Sequence, residues 1–332
     1  MYQTKFHSED ISKKAFLVTG GAGFIGSNLV EYLIKNNAGK VRVLDNLSEG
    51  LKENIEPFLL HPGFEFIKGS ITDYNTCLDN CNGIDYVLHQ AALGSVPRSI
   101  KNPVATNESN VTGFLNILTA AKDSGVKRFV YASSSSVYGD SADLPKREEK
   151  IGNPLSPYAV SKVVDELYAD VFTRTYKMEI IGLRYFNIFG PRQKPDGPYA
   201  AAIPLFMDAL LNNKSPFING DGEQTRDFTF VENAVQANIK ALFTNVEGAT
   251  GQVYNVAVAD RISINLLFNT LKKLTGSSIA PTYRQEREGD IRNSLADISK
   301  AQKYLGYQPT VNVEKGLEIT LNWFKTRRPE KV

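Results

Sequence analysis

The sequence AFLVTGGAGFIG at residues 15–26 joins a short apolar run to a turn that contains four glycines. Apolar residues then recur at spacings of three and four from Phe24 to Leu33, which predicts a helix directly after the turn. Glycines allow a tight turn and a close backbone approach to a pyrophosphate, and the helix N-terminus supplies unpaired N–H groups to the anion. The stretch therefore predicts a dinucleotide-binding turn. Its predicted cofactor-binding residues are Gly20, Gly23, Phe24, Ile25 and Gly26.

Short apolar runs typical of buried strands recur after this turn, and helical patterns alternate with them. The predicted strands are VRVLD (41–45), FEFIKG (64–69), DYVLHQAA (85–92), KRFVYASSS (127–135) and EIIGLRYF (179–186). The clearest predicted helices are residues 108–124 and 157–177. Strands that alternate with helices indicate parallel βαβ units with helices on both faces of the sheet. We expect an α/β fold with a Rossmann-type doubly wound parallel sheet.

The pattern changes after residue 186, where a stretch rich in proline and glycine (186–204) reads as a long connection. At about 150 residues per domain, 332 residues correspond to about two domains. We predict an NAD-binding domain over residues 1–186 and a smaller, mixed α/β substrate domain over 187–332. Because residues 225–256 contain another helix and strand, they are expected to return to the first domain.

Bulk composition excludes several classes of protein. With 38 basic and 36 acidic residues, the net charge of +2 argues against a nucleic-acid-binding protein. No stretch approaches the ~18 apolar residues of a membrane span, and residues 1–14 lack the apolar core of a signal peptide. We therefore expect a cytoplasmic enzyme. Cys77 and Cys81 fit a reducing compartment, and no Cys/His cluster with metal-ligand spacing is present, so no metal site is predicted.

Asp45 ends the second predicted strand, 19 residues after Gly26. A carboxylate at this place accepts hydrogen bonds from the adenosine ribose and repels a 2′-phosphate, which favours NAD over NADP. The alternative interpretation is a strand-end turn residue, with Asn46 beside it.

Tyr158 and Lys162 open a predicted helix after Ser156-Pro157, and their spacing of four places them on one face. A free tyrosine has a pKa of about 10, but a nearby ammonium favours its phenolate, so the pair is a candidate general base. Ser134 lies in a run of four serines at a strand end, where a hydroxyl can relay a proton. The alternative is that these serines only satisfy local backbone groups.

Together these motifs resemble the extended short-chain dehydrogenase/reductases, and within them the UDP-sugar 4-epimerases. The resemblance covers residues 15–325 and is carried by TGGAGFIG (19–26), the serine run, Tyr158–Lys162 and RYFN (184–187). Three further stretches resemble the subgroup of UDP-GlcNAc 4-epimerases of bacterial surface-polysaccharide pathways, which interconvert UDP-GlcNAc and UDP-GalNAc. They are HQAALGSVPRS (89–99), NGDGEQTRDF (219–228) and REGDIRNSLADISKA (287–301).

The resemblance implies a mechanism. Tyr158 takes the proton of the sugar 4-hydroxyl with Ser134 bridging, the C4 hydride passes to tightly bound NAD⁺, and Lys162 holds the nicotinamide ribose. The 4-keto sugar then turns over, and the hydride returns to its other face. The family also forms homodimers through a four-helix bundle built from helices such as 108–124 and 157–177.

The resemblance also assigns binding residues by position. Further cofactor contacts are expected at Asp45, Asn46, Ser48, Gly50, Ser70, Ile71, Gln90, Ala91, Ala92, Ser109, Tyr158, Lys162 and Phe186. Substrate contacts are expected at Gly94, Ser95, Ser134, Ser135, Ser136, Tyr158, Asn187, Gln193, Ala201, Phe217, Asn219, Arg226, Arg287, Asp290 and Ser294. Among these, Arg226 and Arg287 are expected to grip the diphosphate, a role suited to the forked donors of arginine.

Three positions bear on specificity through the resemblance. Ser294 stands where glucose-restricted epimerases carry tyrosine, so a small side chain leaves room for an acetamido group. Ser135 and Ser136 stand where related dehydratases carry Asp-Glu, which favours epimerisation over loss of water. Three alternatives stay open: the same chemistry on UDP-hexosaminuronates, for which Arg98 offers a cation, the same chemistry on UDP-Glc and UDP-Gal, and a non-catalytic nucleotide-binding relative.

Overall fold

The computed structural model describes residues 1–195, 201–286 and 292–327. Seven parallel strands form the main sheet in the order β11-β6-β5-β4-β1-β2-β3. Their bounds are β1 Ala15–Thr19, β2 Lys40–Asp45, β3 Phe64–Lys68, β4 Tyr86–His89, β5 Arg128–Ser134, β6 Glu179–Tyr185 and β11 Gln252–Val256. The strand order reverses beside β1, as in doubly wound sheets, and this confirms the predicted fold class.

Helices cover both faces of this sheet because alternate strand residues are apolar on each side. Phe16 and Val18 of β1 face the core that contains Leu29 of the first helix, whereas Leu17 faces the opposite core with Phe114. The helices are α1 Phe24–Lys35, α2 Tyr74–Cys81, α3 Val96–Lys101, α4 Pro103–Asn107, α5 Gly113–Asp123, α6 Pro157–Tyr176, α7 Ala202–Leu211, α8 Val231–Phe243, α9 Ile264–Thr275, α10 Ser299–Leu305 and α11 Val313–Thr326. Burial on both sides explains why the strands read as continuous apolar runs.

The second half of the chain contributes to the main sheet and also builds a smaller region. Strand β11 pairs with β6, and helix α8 packs against α1. Within residues 225–256, α8 and β11 pack on the main sheet, whereas the short strands before α8 pair elsewhere. Those pairs join β7 Ile188–Phe189 with β10 Thr229–Phe230, β9 Thr225–Arg226 with β12 Ile262–Ser263, and β8 Phe217–Asn219 with β13 Thr282–Arg284. A third apolar core holds α7, α9 and α11 together. The division into two domains stays a prediction.

The helix expected over 108–124 is present and contains a π-helical turn. Residues Glu108–Thr112 form a π-helical turn, and α5 follows it. In this turn the Asn110 amide accepts from the Leu93 N–H at 2.8 Å and donates to Ser161 Oγ at 3.1 Å. The turn thereby ties the end of β4 to helix α6, which fits the frequent placement of π-turns near functional sites.

The first residues of the chain pack on helix α1. Tyr2, Phe6 and Ile11 are buried. The Tyr2 hydroxyl donates to Asn28 Oδ1 at 2.7 Å, and Asn28 in turn donates to the Pro191 carbonyl at 3.2 Å. The N-terminal segment is therefore linked through α1 to the connection that follows β7.

Candidate active site

The glycine turn is shaped so that side chains do not fit. Gly20 has φ +68°, and a Cβ there would lie 2.7 Å from the Ala91 nitrogen. A Cβ on Gly26 would lie 2.2 Å from the Gly20 carbonyl oxygen. Strand β1, helix α1 and the end of β4 therefore meet with only backbone between them. The N-terminus of α1 faces the open side, where an anion can accept from its N–H groups.

Asp45 lies at the carboxyl end of β2, beside this turn. Its two carboxylate oxygens accept from the Ala22 N–H at 3.0 Å and the Leu47 N–H at 2.8 Å. Burial raises the pKa of Asp45, and the two backbone N–H groups oppose that rise. Because each oxygen retains a second lone pair, the carboxylate can also accept from ribose hydroxyls.

A cavity of about 310 Å³ extends from the glycine turn past Asp45, and we call it the nucleotide cavity. It brings together twelve predicted cofactor residues from distant parts of the chain. They are Gly20, Gly23, Asp45, Asn46, Ser48, Gly50, Ser70, Ile71, Gln90, Ala91, Ala92 and Ser109. The volume of this cavity, the glycine turn at its side and the Asp45 carboxylate suit the adenosine half of a dinucleotide.

A second cavity of about 540 Å³ shares the glycine turn with the nucleotide cavity, and we call it the central cleft. Its lining includes Phe24, Ile25, Gly26, Gly94, Ser95, Ser134, Ser135, Tyr158, Lys162, Asn187, Gln193 and Ala201. The carboxyl ends of β4, β5 and β6 lie along this cleft, which is where open α/β sheets bind ligands.

Tyr158 and Lys162 stand on the first turns of α6. Ser156 caps this helix by accepting from the Ala159 N–H at 3.1 Å, and Pro157 occupies its first position. The Lys162 ammonium lies 2.9 Å from Asp165 Oδ2, and both side chains are buried. Burial lowers the pKa of Lys162, but Asp165, Tyr158 and Glu166 together raise it more, so the pKa lies above its usual value. The lysine is thus a cation beside the candidate base.

The four serines after β5 have different surroundings. Ser133 donates to Glu166 Oε1 at 2.5 Å, which is a structural bond between strand and helix. Ser134 caps the short helix that follows by accepting from the Ser136 N–H at 3.1 Å, and it lines the central cleft together with Ser135. The Ser136 hydroxyl is buried without a hydrogen-bond partner among the described residues. Ser134 therefore remains the candidate relay.

A third cavity of about 600 Å³ continues from the central cleft, and we call it the outer cavity. Its walls include the predicted residues Phe217, Asn219 and Arg226. Arg284, which sequence reasoning missed, lies 4.9 Å above the Phe217 ring and donates to Asn219 Oδ1 at 2.6 Å. The sequence gives little indication of this role for Arg284, because the parallel pairing of β13 with β8 joins residues 65 positions apart.

Other predicted positions lie off these walls. Phe186 is fully buried against Tyr138, and Ser136, whose hydroxyl is buried, is not on the described walls of the three cavities. Ser294 is not on the described walls of the three cavities, and its N–H donates to the Thr225 carbonyl, next to Arg226. Arg287 and Asp290 lie outside the described residues.

The central cleft also contains Glu49 and Tyr185, which were not predicted from the sequence, and Arg98, which was considered only as a cation for a uronate. Glu49 and Arg98 form an ion pair of 2.7 Å on its wall, between the loop after β2 and helix α3. Tyr185 lines the cleft from the end of β6, and its hydroxyl bonds Gln90 and Asn238. Only the folded chain brings these partners together, since they are 49 to 148 residues apart in the sequence.

Two classes of site were searched within the described ranges. No group of three or more His, Cys, Asp or Glu side chains there is placed to hold a metal ion. No helix of residues 1–195, 201–286 or 292–327 has both the length and the apolar character that a membrane span requires.

Comparisons with known proteins agree with this geometry. Residues 16–257 match the model of the NAD dependent epimerase/dehydratase family. A putative UDP-glucose 4-epimerase of Methanocaldococcus jannaschii is 40% identical over 313 residues, covering 93% of this chain and 98% of that protein.

Solved structures extend the comparison. A UDP-N-acetylglucosamine 4-epimerase from Methanobrevibacter ruminantium in complex with UDP-N-acetylmuramic acid superposes with a TM-score of 0.90 at 40% identity, over 95% of this chain and 99% of that one. A Thermus thermophilus UDP-glucose 4-epimerase in complex with NAD superposes with a TM-score of 0.84 at 30% identity, over 95% of this chain and all of that one.

The doubly wound sheet, the glycine turn and the carboxylate after β2 define a dinucleotide-binding protein. The chain belongs to the NAD dependent epimerase/dehydratase family, and its relatives include UDP-sugar 4-epimerases as well as UDP-sugar decarboxylases and a dTDP-glucose 4,6-dehydratase. The predicted cofactor, NAD, is confirmed by the family and by the bound cofactor of the Thermus neighbour.

Proposed function

We propose that this enzyme inverts C4 of UDP-N-acetylhexosamines and so interconverts UDP-GlcNAc and UDP-GalNAc. One observation carries the proposal: Tyr158, Lys162 and Ser134 line a single cleft that opens on one side to the nucleotide cavity and on the other to the outer cavity. A sugar in this cleft would have the candidate base and the cofactor site within reach, with its nucleotide in the outer cavity.

The glycine turn and Asp45 would hold NAD, with the pyrophosphate on the N-terminus of α1 and the adenosine ribose on the carboxylate. Bound NAD supplies the acceptor, and later the donor, of the C4 hydride, so the overall reaction involves no net oxidation. The enzyme is therefore expected to work without added NAD.

Tyr158 would accept the proton of the sugar 4-hydroxyl, directly or through the Ser134 hydroxyl. The Lys162 cation favours the phenolate that this step needs, because an opposite charge stabilises the ionised form. The same tyrosine returns the proton to the 4-oxygen when the hydride comes back to the other face of C4. Proton and hydride are both restored, and only the configuration changes.

The outer cavity suits a uridine diphosphate. Arg284 and Arg226 line it, and the Phe217 ring offers an apolar surface beside Arg284. A guanidinium binds phosphate oxygens through paired N–H donors, and an aromatic ring stacks on a flat base. The ketosugar would then turn about the diphosphate linkage while the nucleotide stays in place.

The choice of an N-acetylated sugar and the choice of epimerisation rest on one support each. The Methanobrevibacter neighbour carries that specificity in its description and is 40% identical to this chain. Ser135 and Ser136 also lack the acid–base groups that dehydration needs, which favours epimerisation. The role of Ser294 beside the acetamido group remains part of this proposal.

A UDP-hexosaminuronate is the second candidate, because Arg98 lines the central cleft and a uronate carboxylate needs a cation. However, Glu49 lies 2.7 Å from Arg98 on the same wall. This carboxylate offsets the charge of the guanidinium, so we rank the neutral hexosamine first.

We also propose that the enzyme is a homodimer built on α6. Three apolar side chains of this helix stay exposed: Val160 at 49%, Leu167 at 61% and Val171 at 43%. A second copy of the same helix would cover them. A sedimentation mass of one chain at micromolar concentration would contradict this.

The cytoplasmic location and the role in surface-polysaccharide synthesis stay predictions.

Proton NMR of the anomeric signals tests the function directly. Purified protein without added NAD is expected to convert UDP-GlcNAc to UDP-GalNAc and the reverse. Tyr158→Phe should abolish turnover while UDP still binds, and Tyr176→Phe, an exposed tyrosine at the end of the same helix, should not. Conversion of uronates alone would overturn the substrate proposal, and full turnover by Tyr158→Phe would overturn the role of that residue.

A further inference from the structure

Lys162 has a buried acidic partner that the Tyr158–Lys162 motif does not include. Asp165, one turn further along α6, accepts from Lys162 Nζ at 2.9 Å. The two side chains are 2% and 0% exposed. The second carboxylate oxygen, Oδ1, is buried and has no hydrogen-bond partner in the part of the chain that the structure describes. A buried carboxylate with one unpaired oxygen is unfavourable by itself, so its position beside a candidate catalytic lysine needs an explanation.

The neighbouring acid on α6 cannot replace Asp165. Glu166 accepts two bonds from the Arg184 guanidinium, at 2.9 and 2.8 Å, and a third from Ser133. Its charge is thus committed to a structural pair between α6 and β6. Asp165 is the carboxylate that contacts the lysine ammonium.

Fold stability alone does not explain why a buried ion pair is kept at this position. Buried ion pairs contribute little net stability, and apolar residues of similar volume often replace them without loss. The pair does, however, fix the position of Nζ, because the helix holds the two residues three positions apart. Its charge also reaches Tyr158, whose phenolate the lysine is there to stabilise.

We propose that Asp165 is a positioning residue that anchors the Lys162 ammonium and sets the charge balance of the Tyr158–Lys162 pair. The proposal deepens the proposed function and rests on it, because it takes Tyr158 as the base and Lys162 as its cation. Asp165 itself would touch neither sugar nor cofactor.

The charge states of the groups around Lys162 and Asp165 determine the direction in which removal of the Asp165 charge changes the Tyr158–Lys162 pair. His89 on β4 faces the ammonium, and burial lowers its pKa to about 3, so it is neutral near pH 7. Burial raises the pKa of Asp165 to about 6, and Lys162 opposes that rise, so the carboxylate is ionised above neutral pH. Three further groups lie around Asp165: Glu166 with its partner Arg184, and Tyr131 on β5.

Removing the Asp165 charge would have two effects in the same direction. An unopposed Lys162 cation stabilises the Tyr158 phenolate, the form that accepts the substrate proton, more strongly. The lysine itself loses its carboxylate partner while burial still penalises its charge, so it loses its proton at lower pH. Both limbs of the pH–rate profile should therefore move toward acid.

The test compares Asp165→Asn with Asp170→Asn, the same change at an exposed acid of the same helix that pairs with Arg174. We expect both limbs of the kcat/KM profile to shift down by about one pH unit or more in Asp165→Asn, and neither to move in Asp170→Asn. A profile that keeps its limbs and only loses height would overturn the proposal and leave Asp165 a structural residue.

Calorimetry of NAD binding gives a readout that does not depend on turnover. In the wild type, affinity should hold to a higher pH than in Asp165→Asn, because Lys162 keeps its charge longer. Equal pH dependence in the two proteins would contradict the proposal. If the wild type binds NAD but epimerises no UDP-sugar, the proposed function fails while this comparison still decides the role of Asp165.

A second pair of variants covers the case in which Asp165→Asn does not fold. Lys162→Met leaves the Asp165 carboxylate buried and unpaired, so its melting temperature should drop. Adding Asp165→Asn to Lys162→Met should recover much of that drop. Additive losses in the double variant would show that the two side chains are not coupled and would overturn the anchoring role.

Discussion

Replacing Gly26 with alanine sets two opposing effects against each other. Inside a helix, alanine is more favourable than glycine by about 0.5–1 kcal/mol, so the exchange alone would stabilise α1. A Cβ at this place, however, would lie 2.2 Å from the Gly20 oxygen, and ordinary contact begins at 3.4 Å. The backbone of the turn must therefore move by about 1.2 Å, the difference between these distances.

The steric contact outweighs the gain in helix propensity, because the atom that the new Cβ meets belongs to backbone with little freedom to move. The Gly20 oxygen accepts from the Gly23 N–H at 3.0 Å, and the Gly20 N–H donates to Leu44 on β2 at 2.9 Å. Overpacking of this kind costs about 1–3 kcal/mol. We expect Gly26→Ala to lose about 1 kcal/mol of stability and at least tenfold in NAD affinity, which corresponds to about 1.4 kcal/mol.

The assay measures NAD released from purified protein and the calorimetric Kd for added NAD. Gly316→Ala is the matched control, since a Cβ on this helical glycine of α11 would meet the side chains of Phe189 and Phe230, which line neither the nucleotide cavity nor the central cleft. The control should lose stability but keep NAD. If Gly26→Ala retains NAD with unchanged Kd, the close-packed cradle is not what holds the cofactor.

Three further outcomes are expected. His89→Gln should make the stability of the fold less sensitive to acid. Burial lowers the pKa of His89 to about 3 from 6.5, so the unfolded chain takes the proton first, and between pH 8 and 5 the wild type loses about 2 kcal/mol of unfolding free energy that the variant keeps. Urea melts that show the same loss of unfolding free energy in both proteins would refute this. Ser294→Tyr should suppress N-acetylated substrates relative to UDP-Glc, and an unchanged NMR substrate ratio would contradict it. Arg284→Ala should weaken UDP binding about tenfold by calorimetry, because the guanidinium beside Phe217 is lost; an unchanged Kd would exclude it from the diphosphate site.

The elements that local sequence controls were predictable. The glycine turn, the carboxylate after β2 and the start of α6 depend on residues within one turn of each other, and the strands are continuous apolar runs because both faces of the sheet are buried. Even here the π-turn at Glu108–Thr112 was missed, since it depends on bonds from Asn110 to Leu93 and Ser161. Those partners come from other elements.

Partners across the fold were not predictable from one sequence. Asp165 reads as a polar residue on an amphipathic helix, and only its burial shows that it contacts Lys162 rather than water. Glu49 and Arg98 meet because β2 and β4 both end at the same edge of the sheet, and Arg284 reaches Phe217 through the pairing of β13 with β8. Pairing and burial are properties of the whole chain.

The distribution of charge along the connected cavities matches the proposed substrate. In the central cleft Lys162 is offset by Asp165 and Arg98 by Glu49. In the outer cavity Arg284 contacts neutral partners, an aromatic ring and an amide, so its charge remains directed at a ligand. UDP-N-acetylhexosamine has the same pattern, a neutral sugar joined to a doubly charged diphosphate. We infer that this gradient orients the substrate, and that a chain with a net charge of +2 needs no wider basic surface to bind it.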